Sequence, residues 1–260
     1  MQNILISSIF IGAIILIVVI ESVATTASTR KETRKRWPAN FALLVINTGI
    51  NLALPFSITG VAVFAKTNSY GIINWLHIPF GIASVLSFVT ISFMMYLFHL
   101  SMHKIPLFWR LHQVHHSDVE LDVTTAFRNH PIAIILIAVI LNTVTFMFGF
   151  VAETILVYTT LIFLLDLCHH SSIIWPAWLD TRLRQIIITP YLHHLHHSDY
   201  QPETDSNYSV DLCLWDKLFG TYLDKPLKQQ STVNYGLKKT SADDASDLQY
   251  LLSTPFKSGQ

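Results

Sequence analysis

The histidines of this chain are concentrated in four short windows of its 260 residues. The windows hold eleven of the 13 histidines. They are His99 and His103; His112, His115 and His116; His169 and His170; and His193, His194, His196 and His197. Imidazole nitrogen is the commonest side-chain metal ligand in proteins. The clustering therefore predicts a metal site built from histidine.

Three of the windows have the spacing of ligands on a helix. His99 and His103 are four residues apart, so both rings lie on one helical face. The two windows that start at His112 and His193 share a His-x-x-His-His pattern, whose three histidines also face one side of a helix. His194 interrupts the second pattern and points elsewhere. We call these three windows the histidine boxes.

The number of histidines predicts two ions. A structural zinc ion is closed by four ligands, so eight or more histidines exceed the needs of one ion. The boxes contain no carboxylate, unlike Glu/His di-iron bundles, and no His-Glu-x-x-His motif provides the base of a zinc protease. Imidazole suits iron, copper, nickel and zinc, so the residues alone leave the metal open.

The composition indicates a membrane protein. The chain is 51% hydrophobic and 13% charged, against about 25% charged residues in soluble domains. Its formal net charge is zero and no basic block interleaves with aromatic residues, which argues against nucleic-acid binding. Cys168 and Cys213, the only two cysteines, give no disulfide framework.

Several apolar runs are candidates for membrane helices. The first, residues 3–20, resembles a signal peptide in length, but its basic cluster follows the run, which favours a membrane helix. Runs at about 41–65 and 75–98 follow, and Pro55 and Gly60 predict a kink in the former. A pair at 131–151 and 154–168 forms a hairpin that crosses the membrane fully or partially. We predict an all-α integral membrane protein of about four to five membrane helices, capped by a cytoplasmic helical domain that carries the histidine boxes.

The distribution of Lys and Arg predicts the orientation. The basic cluster at residues 30–36 is expected in the cytoplasm, which places the 66–74 loop outside. Of 17 Lys and Arg residues, 16 then lie inside, and Lys66 is the exception. All histidine windows face the cytoplasm in this arrangement.

The order and spacing of these motifs resemble those of the fatty acid hydroxylase/sterol desaturase superfamily, in particular its bacterial members. The resemblance covers about residues 80–225. Besides the boxes, it rests on four further motifs, which are Thr125-Ala-Phe-Arg-Asn-His130-Pro131, His170-Ser-Ser-Ile-Ile-Trp-Pro176, Glu203-Thr-Asp-Ser-Asn-Tyr208 and Leu214-Trp-Asp-Lys-Leu-Phe-Gly-Thr-Tyr222. Members of the superfamily are membrane non-haem di-iron enzymes that use O₂ to oxidise an unactivated C–H bond of a lipid.

The resemblance implies ten metal ligands. These are His99, His103, His112, His115, His116, His130, His170, His193, His196 and His197. His170 is preferred to His169 because the superfamily pattern has a histidine six residues before a proline, here Pro176. His77, His169 and His194 are left as bystanders. Asp166, four residues before His170, is expected to orient that ring, since ligating histidines usually donate their other N–H to an acceptor.

The resemblance also implies cofactors, partners and a domain division. We expect two iron ions, O₂ as co-substrate, a lipid substrate, and an external electron donor of the ferredoxin or cytochrome b5 type, because no haem, flavin or dinucleotide motif is present. The expected location is a bacterial inner membrane rather than the endoplasmic reticulum. The predicted divisions are an N-terminal membrane helix and basic loop (1–36), the hydroxylase-like domain (37–225) and a polar, loosely ordered tail (226–260) with a short helix near Ala245–Leu252.

Two other functions remain open at this point. One is a zinc-dependent membrane lipid hydrolase or lyase that uses the same histidines. The other is a metal transporter, which would require ionisable residues within the membrane helices. The apolar runs contain mainly Asn47, Asn51 and Asn142 as polar residues, so transport is the weaker alternative.

Overall fold

A computed structural model describes residues 12, 14–21, 30–173, 175–227 and 233–257, and in these ranges the chain is helical without strands. The helices are α1 (Arg30–Ala53), α2 (Ile58–Thr67), α3 (Ile72–Trp75), α4 (Phe80–Lys104), α5 (Pro106–His116), α6 (Pro131–Phe148), α7 (Ala152–His170), α8 (Ala177–Leu183), α9 (Pro190–His196), α10 (Gln201–Thr204), α11 (Leu214–Phe219), α12 (Ala242–Ser246) and α13 (Leu248–Ser253). Two 3₁₀ turns, Val123–Phe127 and Thr254–Phe256, and a helical segment at residues 14–21 are also present.

Four stretches of the described chain are long and apolar enough to cross a membrane, which confirms the all-α membrane fold. They are Lys35–Trp75, Phe80–Lys104, Pro131–Phe148 and Ala152–His170. Most of the predicted span at residues 3–20 lies outside the described residues. Its described part, residues 14–21, is helical and packs beside Phe41, Leu44 and the Val123–Phe127 turn.

The apolar run at 41–65 is broken rather than kinked. Helix α1 ends at Ala53, and α2 begins at Ile58 after Ser57, whose hydroxyl accepts a hydrogen bond from the Gly60 N–H at 3.1 Å. Helix α2 has ten residues, so it is about 15 Å long, half of a hydrocarbon core. The predicted single kinked helix was therefore wrong, because Ser57 caps a new helix just after Pro55.

The turns on one side of the helical bundle meet at two glycines. Gly71 and Gly149 have φ angles of 90° and 70°, and a Cβ added to Gly71 would lie 2.3 Å from the Gly149 nitrogen. The hairpin of α6 and α7 turns here, and α4 begins nearby. The C-terminal ends of α4 and α7, which carry His99, His103 and His170, consequently lie at the other end of the bundle.

The C-terminal segment is packed against the bundle in its described part, 233–257. Leu251 is fully buried in a cluster with Ala39, Leu43 and Val114. The predicted short helix is present as α12 and α13, but the segment is not the loosely ordered tail that its polar composition predicts. The predicted division between residues 36 and 37 also falls inside α1.

Candidate metal centre

Nine of the ten predicted ligands converge in two buried groups. The first is formed by His99 and His103 of α4, His112 and His116 of α5, and His196 of α9. The second is formed by His115 of α5, His170 of α7, and His193 and His197 at the C-terminal half of α9. Within each group, one ligand atom from every residue lies within 4.8 Å of the others. Helices α4, α5, α7 and α9 thus deliver imidazoles to two neighbouring points.

Each His-x-x-His-His box contributes to both groups. In α5, His112 and His116 join the five-histidine group and His115 joins the other. In α9 and its C-cap, His193 and His197 share the four-histidine group and His196 joins the first. Residues four apart stack along a helix, whereas the third ring is rotated toward the neighbouring point. This split was not evident from the sequence, which indicated only that the three rings share a side.

The four-histidine group has the nitrogen spacing of a metal site. The Nε2 atom of His170 lies 2.9 Å from that of His193, 3.1 Å from that of His115 and 3.2 Å from that of His197. Nitrogens bound to one ion at about 2.1 Å are separated by roughly 3.0–3.4 Å in tetrahedral or octahedral arrangements. The four Nε2 atoms are thus spaced as the ligands of one shared ion would be.

Several ring nitrogens of the five-histidine group are buried without hydrogen-bond partners. They include both nitrogens of His103 and His116, and Nε2 of His196. A buried polar atom with no partner is costly, and coordination of a metal removes that cost. The residues present therefore fit metal ions in chemistry as well as in spacing.

Backbone carbonyls fix the tautomers of three ligands. The Nδ1 atoms of His99, His196 and His170 donate to the carbonyl oxygens of Tyr208, Ser206 and Asp166, at 2.7, 2.7 and 2.8 Å. A ring that donates through Nδ1 leaves the Nε2 lone pair free to bind a metal. The tautomers that these hydrogen bonds select are those that ligation needs.

Asp166 lies where the sequence predicts, but its backbone makes the shorter contact. Its carboxylate oxygen is 3.3 Å from Nδ1 of His170, beyond the 2.8 Å of the carbonyl contact, and the side chain is 42% exposed. The carbonyl is thus the main acceptor for this ring.

Residues 206–208 support the first group through their backbone, a role in the site that the sequence did not predict. Asp216 holds this segment by accepting the N–H groups of Tyr208 and Ser209 at 2.8 and 2.9 Å. The sequence signal for this region was the family resemblance of the Glu203–Tyr208 and Leu214–Tyr222 motifs. The spacing of residues in these motifs could not predict their role in the site. The groups that accept hydrogen bonds from His99 and His196 are backbone carbonyl oxygens, which every residue has.

The remaining histidines lie apart from the two groups. His130, the tenth predicted ligand, caps α6 by accepting the Ile132 N–H through Nδ1 at 3.2 Å, and its Nε2 is 3.3 Å from the Leu252 carbonyl. His169 Nε2 lies 3.0 Å from the Ile188 carbonyl and His194 Nδ1 lies 3.1 Å from the Tyr235 hydroxyl. His77 is exposed near the other end of the bundle.

Burial keeps the box histidines neutral. It lowers the pKa of His112, His115, His116, His193, His196 and His197 well below the ordinary value, and positive charge on neighbouring histidines would lower each pKa further. Neutral imidazole is the form that binds metal. The electrostatics of the site therefore favour ligation at neutral pH.

A buried ionic network anchors α5. Arg36 of α1 contacts Asp118, and its Nη2 donates to Asp122 at 2.7 Å. Arg128 donates to the Val114 carbonyl at 2.9 Å and to the Ser117 hydroxyl at 2.8 Å. Because these partners include the last turn of α5 and the residues after it, the network holds the second box in register.

Sequence comparisons identify the class of protein. The Fatty acid hydroxylase family matches residues 84–221, a range that contains all nine converged histidines. The chain is 29% identical over 58% of its length to an alkylglycerol monooxygenase of Xenopus tropicalis, and 30% identical over 57% to the ornithine lipid hydroxylase OlsE of Rhizobium tropici. It is 28% identical over 66% to a very-long-chain aldehyde decarbonylase of Oryza sativa subsp. indica.

The matched regions cover 32%, 44% and 28% of these three relatives, respectively. No solved structure matches the chain significantly. The family match spans more than half of the chain, and its two ends enclose every histidine of both groups. The chain belongs to the fatty acid hydroxylase family.

Proposed function

We propose that the chain is a di-iron membrane oxidoreductase that uses O₂ to hydroxylate or desaturate a C–H bond of a lipid. The observation that carries the proposal is the convergence of nine buried histidines into two adjacent groups at one end of an apolar helical bundle. Each group has at least four imidazoles, enough to hold one ion. Family membership favours iron over the other metals that imidazole binds.

The chain's own residues hold, orient and shield the metals in this proposal. His99, His103, His112, His116 and His196 would hold one iron, and His115, His170, His193 and His197 the other. Two irons would supply the activation of O₂ and the removal of hydrogen from carbon. All nine side chains are buried, so bulk water is kept from the reacting atoms.

Asp166 is proposed to orient His170 through its carbonyl and, more weakly, its carboxylate. An Asp166→Ala change leaves the 2.8 Å carbonyl contact in place. It is therefore expected to weaken metal affinity by about tenfold or less, the lower end of the effect seen for such partners. Competition with a chelator measures this, and Asp166→Asn is the matched control.

His130 is proposed as a ligand only if side chains rearrange, since α6 capping occupies its Nδ1.

A lipid substrate fits both the bundle and the relatives. The names of the relatives refer to alkylglycerol, an ornithine lipid and a very-long-chain aldehyde, which all have long apolar parts. His99 and His103 lie at the end of a membrane-spanning stretch, which puts the histidine groups next to the bilayer that would supply such a lipid. We further propose a ferredoxin or cytochrome b5-type electron donor on the cytoplasmic face of a bacterial inner membrane.

Metal analysis combined with isotope labelling tests this function. The purified protein is expected to contain about two irons per chain, and cells that express it are expected to accumulate an ¹⁸O-labelled or newly desaturated lipid under ¹⁸O₂. Zinc without iron, together with lipid cleavage and no ¹⁸O incorporation, would instead support the hydrolase or lyase. A His99→Ala variant is the inactive control for the lipid analysis.

A further inference from the structure

Four large apolar side chains form an exposed patch on the cap, the region of short helices α8 to α11 that follows the last membrane-spanning stretch. The patch consists of Ile186, Leu214, Leu218 and Phe219, which are 64%, 52%, 65% and 51% exposed. Leu214 and Leu218 are four residues apart on α11, and Ile186 lies beside them because its carbonyl accepts the Cys213 N–H at 2.9 Å. Contact with water is unfavourable for such a contiguous apolar surface.

The patch contacts α4 near the histidine end of its membrane-spanning stretch. Trp215 of α11 donates to the Ser92 hydroxyl of α4 at 2.8 Å, and Phe219 stacks on Phe93 and Tyr96 at centroid distances of 5.8 and 5.5 Å. These α4 residues precede His99 by three to seven positions, so they lie about 5–10 Å from it toward the membrane interior. A hydrocarbon core is crossed by about 20 residues, which reach from Phe80 to near His99. The side chains that contact α11 are therefore within the apolar layer.

Two exposed groups near the patch are basic. Lys217 is exposed and donates to the Gln185 carbonyl at 2.7 Å, and Arg182 lies over the exposed Trp178 ring at 5.6 Å. The acidic residue of α11, Asp216, is buried and points inward to Tyr208 and Ser209. An apolar face with basic flanks and a nearby Trp is typical of a helix that lies in the membrane interface.

We propose that Ile186 and α11 insert into the headgroup–acyl boundary of the leaflet at the histidine end. The stacking of Phe219 on Phe93 and Tyr96 makes the patch continuous with a membrane-spanning helix. Interfacial helices bury their apolar face by about 5–10 Å, the same depth that the α4 contacts give. The cap is thereby attached to the bilayer by lipid contacts in addition to its chain connections, independently of the metals.

Depth-resolved fluorescence quenching tests this insertion. Leu218→Cys and, as a control on the same helix, Lys217→Cys are labelled with a small fluorophore after Cys168→Ala and Cys213→Ala changes remove the native thiols. Gln201→Cys, at another exposed position of the cap, is the aqueous reference. The protein is reconstituted in phosphatidylcholine–phosphatidylglycerol vesicles that contain acyl-chain quenchers, and iodide is the aqueous quencher. If the cysteine-free background unfolds, the native chain is reconstituted with a cross-linkable lipid instead. Mass spectrometry then tests whether the lipid is attached within residues 212–220.

The expected result is that lipid quenchers act on position 218 roughly twofold or more strongly than on 217, and that iodide acts mainly on 201. Iodide quenching at 218 equal to that at 201 would overturn the proposal. Protection of 218 from both quenchers would also overturn it, because a protein partner or a second copy would then cover the patch. None of these outcomes depends on metal content or on turnover, so a failure here is separate from a failure of the proposed oxidation.

Discussion

At the scale of single residues, neighbouring histidines have different roles because successive residues of a helix point about 100° apart. His193 Nε2 lies 2.9 Å from that of His170, whereas His194, the next residue, contacts the Tyr235 hydroxyl through Nδ1. Both side chains have similar chemistry, and burial lowers the pKa of His194 to about 4 as well. What distinguishes a candidate ligand is therefore convergence with other rings and not neutrality.

This difference gives a paired prediction. His193→Ala removes one of only four imidazoles around a point, so the metal content is expected to fall from about two to about one ion per chain. His194→Ala removes a ring outside both groups, and metal content is expected to remain at about two. Elemental analysis of both purified variants measures this. Equal metal loss in the two would contradict the assignment of ligands within α9.

At the scale of elements, buried polar contacts connect helix α1 to the second histidine box. Arg36 is 1% exposed and contacts Asp118 and Asp122, which flank the link between α5 and the Val123–Phe127 turn. Arg36→Ala leaves two buried carboxylates without this partner, and we expect the free energy of unfolding to fall by about 3–5 kcal/mol. Arg182→Ala, an exposed control, is expected to change it by less than about 0.5 kcal/mol. Denaturant titration in detergent compares the two; similar values would show that the network is not stabilising.

The contact between the two turns gives a second prediction at this scale. Gly71→Ala forces a side chain into the left-handed region and places its Cβ 2.3 Å from the Gly149 nitrogen. We expect a loss of about 1–3 kcal/mol or more in the free energy of unfolding. Gly81→Ala, in the first turn of α4, is the matched control because nothing lies within 4 Å of its added Cβ. A Gly71→Ala protein as stable as wild type would mean that the turns are not packed as described.

At the scale of the whole molecule, the sequence predicts the membrane fold and most of the site because both depend on periodic signals. Apolar runs mark the spans, and the spacing of four residues in His99/His103 and His112/His116 marks rings that share a group. Tertiary contacts decide the rest. The assignment of His115 to a different group from His112, the carbonyl acceptors at 206–208 and the packing of Leu251 all involve partners distant in sequence. The break at Ser57 was missed because a helix cap is a local signal inside an apolar run.

The orientation of the whole molecule remains a prediction from its basic residues, and the fold makes it testable. Lys66 lies with Gly149 at the end of the bundle away from the histidines, and the sequence places the other 16 Lys and Arg residues inside. Asn68 and Lys225 are exposed, one beside Lys66 and the other after the boxes. An impermeant maleimide added to cells with a permeabilised outer membrane should label Asn68→Cys but not Lys225→Cys, which should react only after lysis. The reverse labelling pattern would place the histidines outside the cytoplasm. It would contradict the proposal that a cytoplasmic electron donor supplies the electrons for the reaction with O₂.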